Sequence, residues 1–187
     1  MTVLEVLKMV SLYLNLYDNF KPLFEGSSLS ANEDEVEFQK ILSGINLTLK
    51  SLSCLFKLKT KEEISIGEDK SFNLSLLSKP LNQICVIKDL NNKSHPCKIY
   101  NDKFLTDFSG KAYIEYFYFP ANITSINDKI EINSKVSIKT FAIGVVCEYC
   151  YINNLFDDAF VWEERFNKSL KTKTISSSFL MPSKRWL

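Results

Sequence analysis

Lys59-Thr60-Lys61-Glu62-Glu63-Ile64-Ser65-Ile66-Gly67-Glu68-Asp69-Lys70-Ser71-Phe72-Asn73-Leu74-Ser75-Leu76 is the stretch on which the fold turns. Ile64 and Ile66 alternate with Glu63 and Ser65, and beyond Gly67-Glu68-Asp69-Lys70 the run Phe72, Leu74, Leu76 alternates again. A period of two puts successive side chains on opposite faces of a strand, and four turn-forming residues between two such runs predict a hairpin. What precedes this stretch has a different period, so the chain changes structural class near Lys59.

Upstream, Val3, Leu7, Val10 and Leu14 recur at helical spacing, with Val6 on the flank and Glu5 and Lys8 off the stripe. This predicts an amphipathic helix over 3–17, stopped by Pro22 and Gly26. Ser30-Ala31-Asn32-Glu33 has the capping-box pattern, and Asp34 and Glu35 suit the positive end of a helix dipole. Phe38, Ile41, Leu42, Ile45, Leu49 and Leu52 continue that second helix over 33–55.

Downstream, Pro80 introduces the strand Ile84-Cys85-Val86-Ile87, Asn91-Asn92-Lys93 turns, and Cys97-Lys98-Ile99 resumes a strand. The clearest strand is Ala112 to Phe119, stopped by Pro120, where both parities are apolar and burial on both faces is expected. Ile130-Glu131-Ile132 closes a β insertion over 60–133. Helical period then returns: Ile138, Phe141, Val145 and Tyr149 mark a helix over 134–153, and Ala159, Trp162, Phe166 and Leu170 mark another over 157–171. Asp157 and Asp158 begin that last helix and Lys168, Lys171 and Lys173 end it, as the macrodipole favours. The fold class is therefore α+β: one domain over 1–173, with a helical bundle from the N- and C-terminal helices, an inserted antiparallel β subdomain, and an extended C-terminal tail over 174–187.

Among 187 residues, 23 Lys and Arg against 22 Asp and Glu leave a net charge of +1, so no bulk field draws the chain to nucleic acid or an acidic membrane. No run approaches the roughly 20 apolar residues of a membrane span, and Glu5 and Lys8 interrupt the N-terminal apolar run before it takes signal-peptide form. Five cysteines, an odd number, favour reduced thiols in a cytosolic setting, where the five Asn-x-Ser/Thr sequons carry no weight.

Candidate chemistry is thin, with a single histidine and no phosphate-cradling glycine motif. Cys147-Glu148-Tyr149-Cys150 has the spacing of a metal or redox half-site, but on a helix the two thiols are equally two small core residues, and no second pair has ligand spacing. His95 and Cys97 sit two apart after a turn, on either side of Pro96, and read as a surface turn. Glu33, Asp34, Glu35 and Glu37 are explained by a helix start. The Tyr- and Phe-rich strand 113–119 has the composition of a stacking platform for single-stranded nucleic acid, but such platforms come with a positive groove and only Lys111 is close in sequence, so it is read as a core strand. No catalytic, metal or cofactor-binding residue is assigned.

The order of elements, with Val3-Leu4-Glu5-Val6-Leu7, Leu55-Phe56, Leu77-Ser78-Lys79-Pro80, Ala112-Tyr113-Ile114-Glu115-Tyr116 and the closing helix Phe156-Asp157-Asp158-Ala159-Phe160-Val161-Trp162-Glu163-Glu164-Arg165-Phe166, resembles the head-tail adaptor (connector) proteins of tailed bacteriophages, in particular the tubular-tail-A type of short-tailed phages. Where that family carries a tryptophan after the second helix, this chain has Leu55-Phe56. The resemblance implies a non-enzymatic virion protein of the neck, assembled in the host cytoplasm. It implies a homo-oligomeric ring, expected to be twelve-fold, between the portal protein and downstream tail or neck proteins. DNA would pass its channel without sequence-specific binding, and neither membrane nor cofactor is involved. The alternative is a small intracellular metal- or redox-binding protein using Cys147 and Cys150.

The tail carries Phe179, Leu180, Met181, Lys184, Arg185, Trp186 and Leu187 on a Ser-rich segment too short to bury its own apolar groups. An aromatic beside two cations has the composition of a docking peptide, so these seven residues are expected to engage an adjacent subunit or the portal.

Overall fold

The computed structural model describes residues 1–29 and 31–178, with side chains to 171. The chain is α+β. Among the described residues there are five α-helices, α1 (Val3–Tyr13), α2 (Tyr17–Phe24), α3 (Asn32–Leu55), α4 (Ile138–Ile152) and α5 (Phe156–Ser178). Seven strands follow α3 in sequence: β1 (Leu58–Ile66), β2 (Ser71–Asn73), β3 (Leu81–Asp89), β4 (Ser94–His95), β5 (Cys97–Tyr100), β6 (Lys103–Thr106) and β7 (Gly110–Tyr118). Contacts divide the chain into two compact units, one made of 1–51 and 122–187 and the other of 52–121.

In the first unit α4 packs against both α1 and α5. Thr2 caps α1 with a capping box: its hydroxyl accepts from the Glu5 amide while the Glu5 carboxylate accepts from the Thr2 amide at 2.8 Å. Leu7, Val10, Ile41, Ile45, Phe141 and Val145, all on predicted apolar stripes, are fully buried. Gly144 lets α4 approach closely: a Cβ there would lie 2.7 Å from Thr48 Cγ2 of α3 and 2.8 Å from Phe166 Cε2 of α5.

Helix boundaries depart from the sequence reading for local reasons. The expected helix over 3–17 ends at Tyr13, because Asn15 takes a left-handed φ of 57°, a conformation asparagine tolerates better than most residues. The short α2 follows and carries Pro22 in its last turn, so Pro22 ends no helix by itself. The helix expected to begin at 134 begins at Ile138: Asn133 closes a tight turn by accepting from the Lys135 amide at 3.0 Å, and Ser137 then caps α4 by accepting from the Thr140 amide. Ser30, the expected cap of α3, lies outside the described residues. Helix α5 runs past 171 to Ser178, so the tail drawn from 174 begins inside a helix.

The second unit holds two antiparallel sheets, ordered β1-β7-β3-β4 and β2-β6-β5. Between them lies one core: Ile64, Ile66, Ile87, Ala112, Ile114 and Tyr116 from the first sheet, with Phe72 and Phe104 from the second. The turn at Gly67–Lys70 is where the sequence put it, with Lys70 at φ 59°. The pairing is not: β1 pairs with β7 and β2 with β6, so the runs it joins belong to different sheets instead of one hairpin. Leu74 and Leu76 form a 3-10 turn rather than continuing the strand. Nor does Ile130-Glu131-Ile132 close the β part. Lys129 makes a single bridge to Thr2, and the Ile130 amide donates to the Met1 carbonyl, which ties 122–133 to the helical unit and ends the insertion at 121.

Candidate functional site

Two surfaces and one cysteine pair bear on function. In the helical unit, the α4–α5 turn and the first turns of α5 leave Leu155, Phe156, Phe160 and Val161 at 46%, 54%, 65% and 50% exposure. Phe156 and Phe160 are four residues apart on one helix and share a face. The same helix is anchored at neighbouring positions: Ala159 is fully buried, Trp162 meets Tyr13 with ring centroids 5.4 Å apart, and Tyr151 donates to Glu163 at 2.8 Å. That last bond pushes the Tyr151 hydroxyl up to about 12. The helix is thus anchored while these apolar groups face water.

A polar cluster ties α3 to the end of α4. Lys40 Nζ donates to Glu37 at 2.6 Å and to Asn153 Oδ1 at 2.8 Å, and the Tyr149 hydroxyl donates to the other Glu37 oxygen. Burial works to raise the Glu37 carboxyl, but the bonds from Lys40 and Tyr149 outweigh it and hold the group below the ordinary glutamate range. Burial, reinforced by the Glu37 bond, pushes Tyr149 up. Such a network positions α3 against the end of α4.

Cys147 and Cys150 are both buried on α4, and the Cys147 thiol faces the Ala159 carbonyl oxygen at 3.6 Å. Burial pushes Cys147 up to about 12 and raises Cys150 as well. Metal binding and redox attack both need the thiolate, which this surrounding disfavours. Among the described residues no group of three or more His, Cys, Asp or Glu is placed to hold a metal ion. His95, on β4, lies with Nδ1 2.8 Å from Asp107 and Nε2 3.4 Å from Asp89, and stacks on Phe108 at 4.7 Å. Its ring nitrogens are therefore engaged by carboxylates and not by Cys97, whose thiol burial pushes up. The residues expected to dock a partner, Phe179, Leu180, Met181, Lys184, Arg185, Trp186 and Leu187, lie outside the described residues.

The second surface is the face of the first sheet turned away from the core. Strand β7 is central, and its parity separates buried Ala112, Ile114 and Tyr116 from half-buried Tyr113, Glu115 and Phe117, so it is not buried on both faces as the sequence suggested. Register then brings distant lysines to the outward side. Tyr113 pairs with Glu63 of β1 and Lys88 of β3; Phe117 pairs with Lys59 and Gln83; Glu115 pairs with Lys61 and Val86. Lys61 Nζ stands 4.4 Å over the Tyr113 ring and Lys57 Nζ 5.1 Å over Phe117, while Lys57 also donates to Gln83 at 2.8 Å. Lys59 binds Glu115 at 2.5 Å and holds that carboxyl below its usual range; Lys111 faces Glu63 at 3.4 Å. Sequence proximity missed this clustering because only Lys111 lies beside the aromatic strand in the chain. The alternation Lys57, Lys59, Lys61 was the available signal: Lys59 and Lys61 at period two share one face of β1, and Lys57 stands just ahead of its first residue.

No helix among the described residues is long and apolar enough to cross a membrane. No protein family and no curated protein matches the chain.

Proposed function

We propose that this chain is a structural subunit, a head-tail adaptor of tailed bacteriophages of the tubular-tail-A kind, without a catalytic step. In this reading the helices from the two chain ends form a bundle that closes side to side into a ring, expected to hold twelve copies. The ring seats on the portal in the virion neck, meets downstream tail proteins, and passes DNA through its channel. The seven apolar and basic residues between Phe179 and Leu187 dock on the neighbouring subunit or the portal.

The observation that supports it best is the exposed patch of Leu155, Phe156, Phe160 and Val161 on the unit built from both chain ends. Clustered apolar groups on a surface mark interaction sites. In a ring the contact is heterologous, so the patch meets a different surface of the next copy. Exposed Leu12, Val36 and Leu47 of the same unit, at 59%, 54% and 44%, are apolar groups available to the other side of such a contact. A polar cluster spent on tying helices together suits a scaffold, and the burial that disfavours the Cys147 and Cys150 thiolates counts against the cysteine-centred alternative.

Phe160→Asp tests this. The side chain is 65% exposed, so the change leaves the subunit folded, and analytical ultracentrifugation of the full chain should show higher oligomers lost. Unchanged assembly would remove the patch from the interface. Deletion of 179–187 should in turn leave a folded subunit that no longer joins the portal.

A further inference from the structure

The outward face of the sheet in the β unit carries five lysines, Lys57, Lys59, Lys61, Lys88 and Lys111, against Glu63 and Glu115, a balance of +3 in a chain whose total is only +1. Set among these cations on the central strand are Tyr113 and Phe117, both half-buried, four residues apart and thus about 13 Å along β7. From this juxtaposition we propose that the face binds single-stranded nucleic acid, lysines taking the phosphates and the two rings taking bases. The inference is independent of the adaptor reading, which rests on the helical unit.

Three features select this occupant. An antiparallel sheet with aromatics on a central strand lets unstacked bases lie on the rings, the arrangement by which sheet-based modules hold single strands. The ammonium groups stand over the Tyr113 and Phe117 rings at 4.4 and 5.1 Å, on the faces that bases would stack against. They are carried on exposed, flexible stems that can swing from ring to phosphate. The cations also flank the rings on both sides, Lys59 and Lys61 on β1 and Lys88 on β3, so a strand laid across β7 meets positive charge on entering and on leaving. An acidic polypeptide would satisfy the lysines but leave the two rings without planar partners. A duplex keeps its bases stacked inside and offers the rings nothing.

The test is fluorescence anisotropy of a labelled oligothymidylate titrated with the full chain at low salt. Binding is expected, and it should weaken as salt rises. Tyr113→Leu should weaken it by about fivefold or more, the loss expected for one stacked base. Lys57→Ala with Lys61→Ala should lower affinity and make the log affinity against log salt slope shallower by about 1.4, two phosphate contacts on a single strand. Lys168→Ala, in the helical unit, should change nothing. A duplex of the same length should compete poorly, and so should polyglutamate. Failure to bind, binding indifferent to the sheet substitutions, or competition by polyglutamate or duplex equal to that by the single strand would overturn the proposal. Should Tyr113→Leu disturb the fold, the lysine pair, exposed and outside the core, still decides the outcome.

Discussion

Replacing Gly144 with alanine sets two opposed effects against each other, and the structure says which wins. In an open helix the change would stabilise by about 1 kcal/mol, the difference in intrinsic helix propensity. Here the added methyl carbon would stand 2.7 Å from Thr48 Cγ2, 2.8 Å from Phe166 Cε2 and 3.0 Å from Phe166 Cζ, all inside ordinary carbon contact. Phe166 is half-buried and has room to tilt. Thr48 does not: it is β-branched, 1% exposed and fixed on α3. Overpacking of this kind costs about 1 to 3 kcal/mol, so the net expectation is a loss of up to about 2 kcal/mol in the helical unit, or up to roughly 8 °C in its melting temperature. Urea unfolding followed by far-UV circular dichroism measures it, and Thr48→Ala in the same background should restore part of the loss by making room. A rise in stability by the helix-propensity amount would refute the close three-helix contact at Gly144.

Other expectations follow from the same packing. Ile45→Ala and Phe141→Ala remove fully buried side chains and should each cost about 2 to 5 kcal/mol, read from the same unfolding curves; an unchanged midpoint would place neither in the core. Because the Glu37 carboxyl is held below its ordinary value, it binds protons less readily folded than unfolded. Its contribution is present above the ordinary glutamate range and is lost as pH falls through the lowered value, so melting temperature should drop on acidification and Glu37→Gln should flatten that drop. Iodoacetamide at mildly alkaline pH should label exposed Cys54 and Cys85 well before buried Cys147, whose thiol is pushed up to about 12; equal labelling rates would reopen a reactive role for Cys147.

The fold class was legible because hydrophobic period is a local property. Val3 to Val10 and Ile138 to Tyr149 announce helices, and Ile64 with Ile66 announces a strand, without any knowledge of partners. Pairing is long-range, and there the reading failed. Nothing in Lys70 or Phe72 says that β2 joins β6 thirty residues away and leaves β1 to β7. The alternation at Ile130-Glu131-Ile132 was equally deceptive: Ile130 is buried, but its amide is satisfied by the Met1 carbonyl, so no strand ladder forms. Helix ends were missed where a single polar residue decides them. Asn15 at φ 57° ends the helix predicted over 3–17 at Tyr13, and Asn133 with Ser137 postpones another by four residues. The surfaces divide in the same way. Exposure of Phe156 and Phe160 could not be read from their sequence, because the apolar positions of α5 run all round its first two turns and only packing shows which side is covered. The lysine and aromatic face was hidden because its parts are some fifty residues apart in the chain and meet only through the register of β1 on β7.

The central claim is that copies of this chain close into a ring, and negative-stain imaging of the purified full chain at high concentration, with mass determination by native mass spectrometry, tests it most directly. Annular particles of a single stoichiometry, expected to be twelve, with masses that are the corresponding multiple of 21.6 kDa, are the predicted result. A monodisperse population at 21.6 kDa that stays monomeric at every concentration would contradict the account.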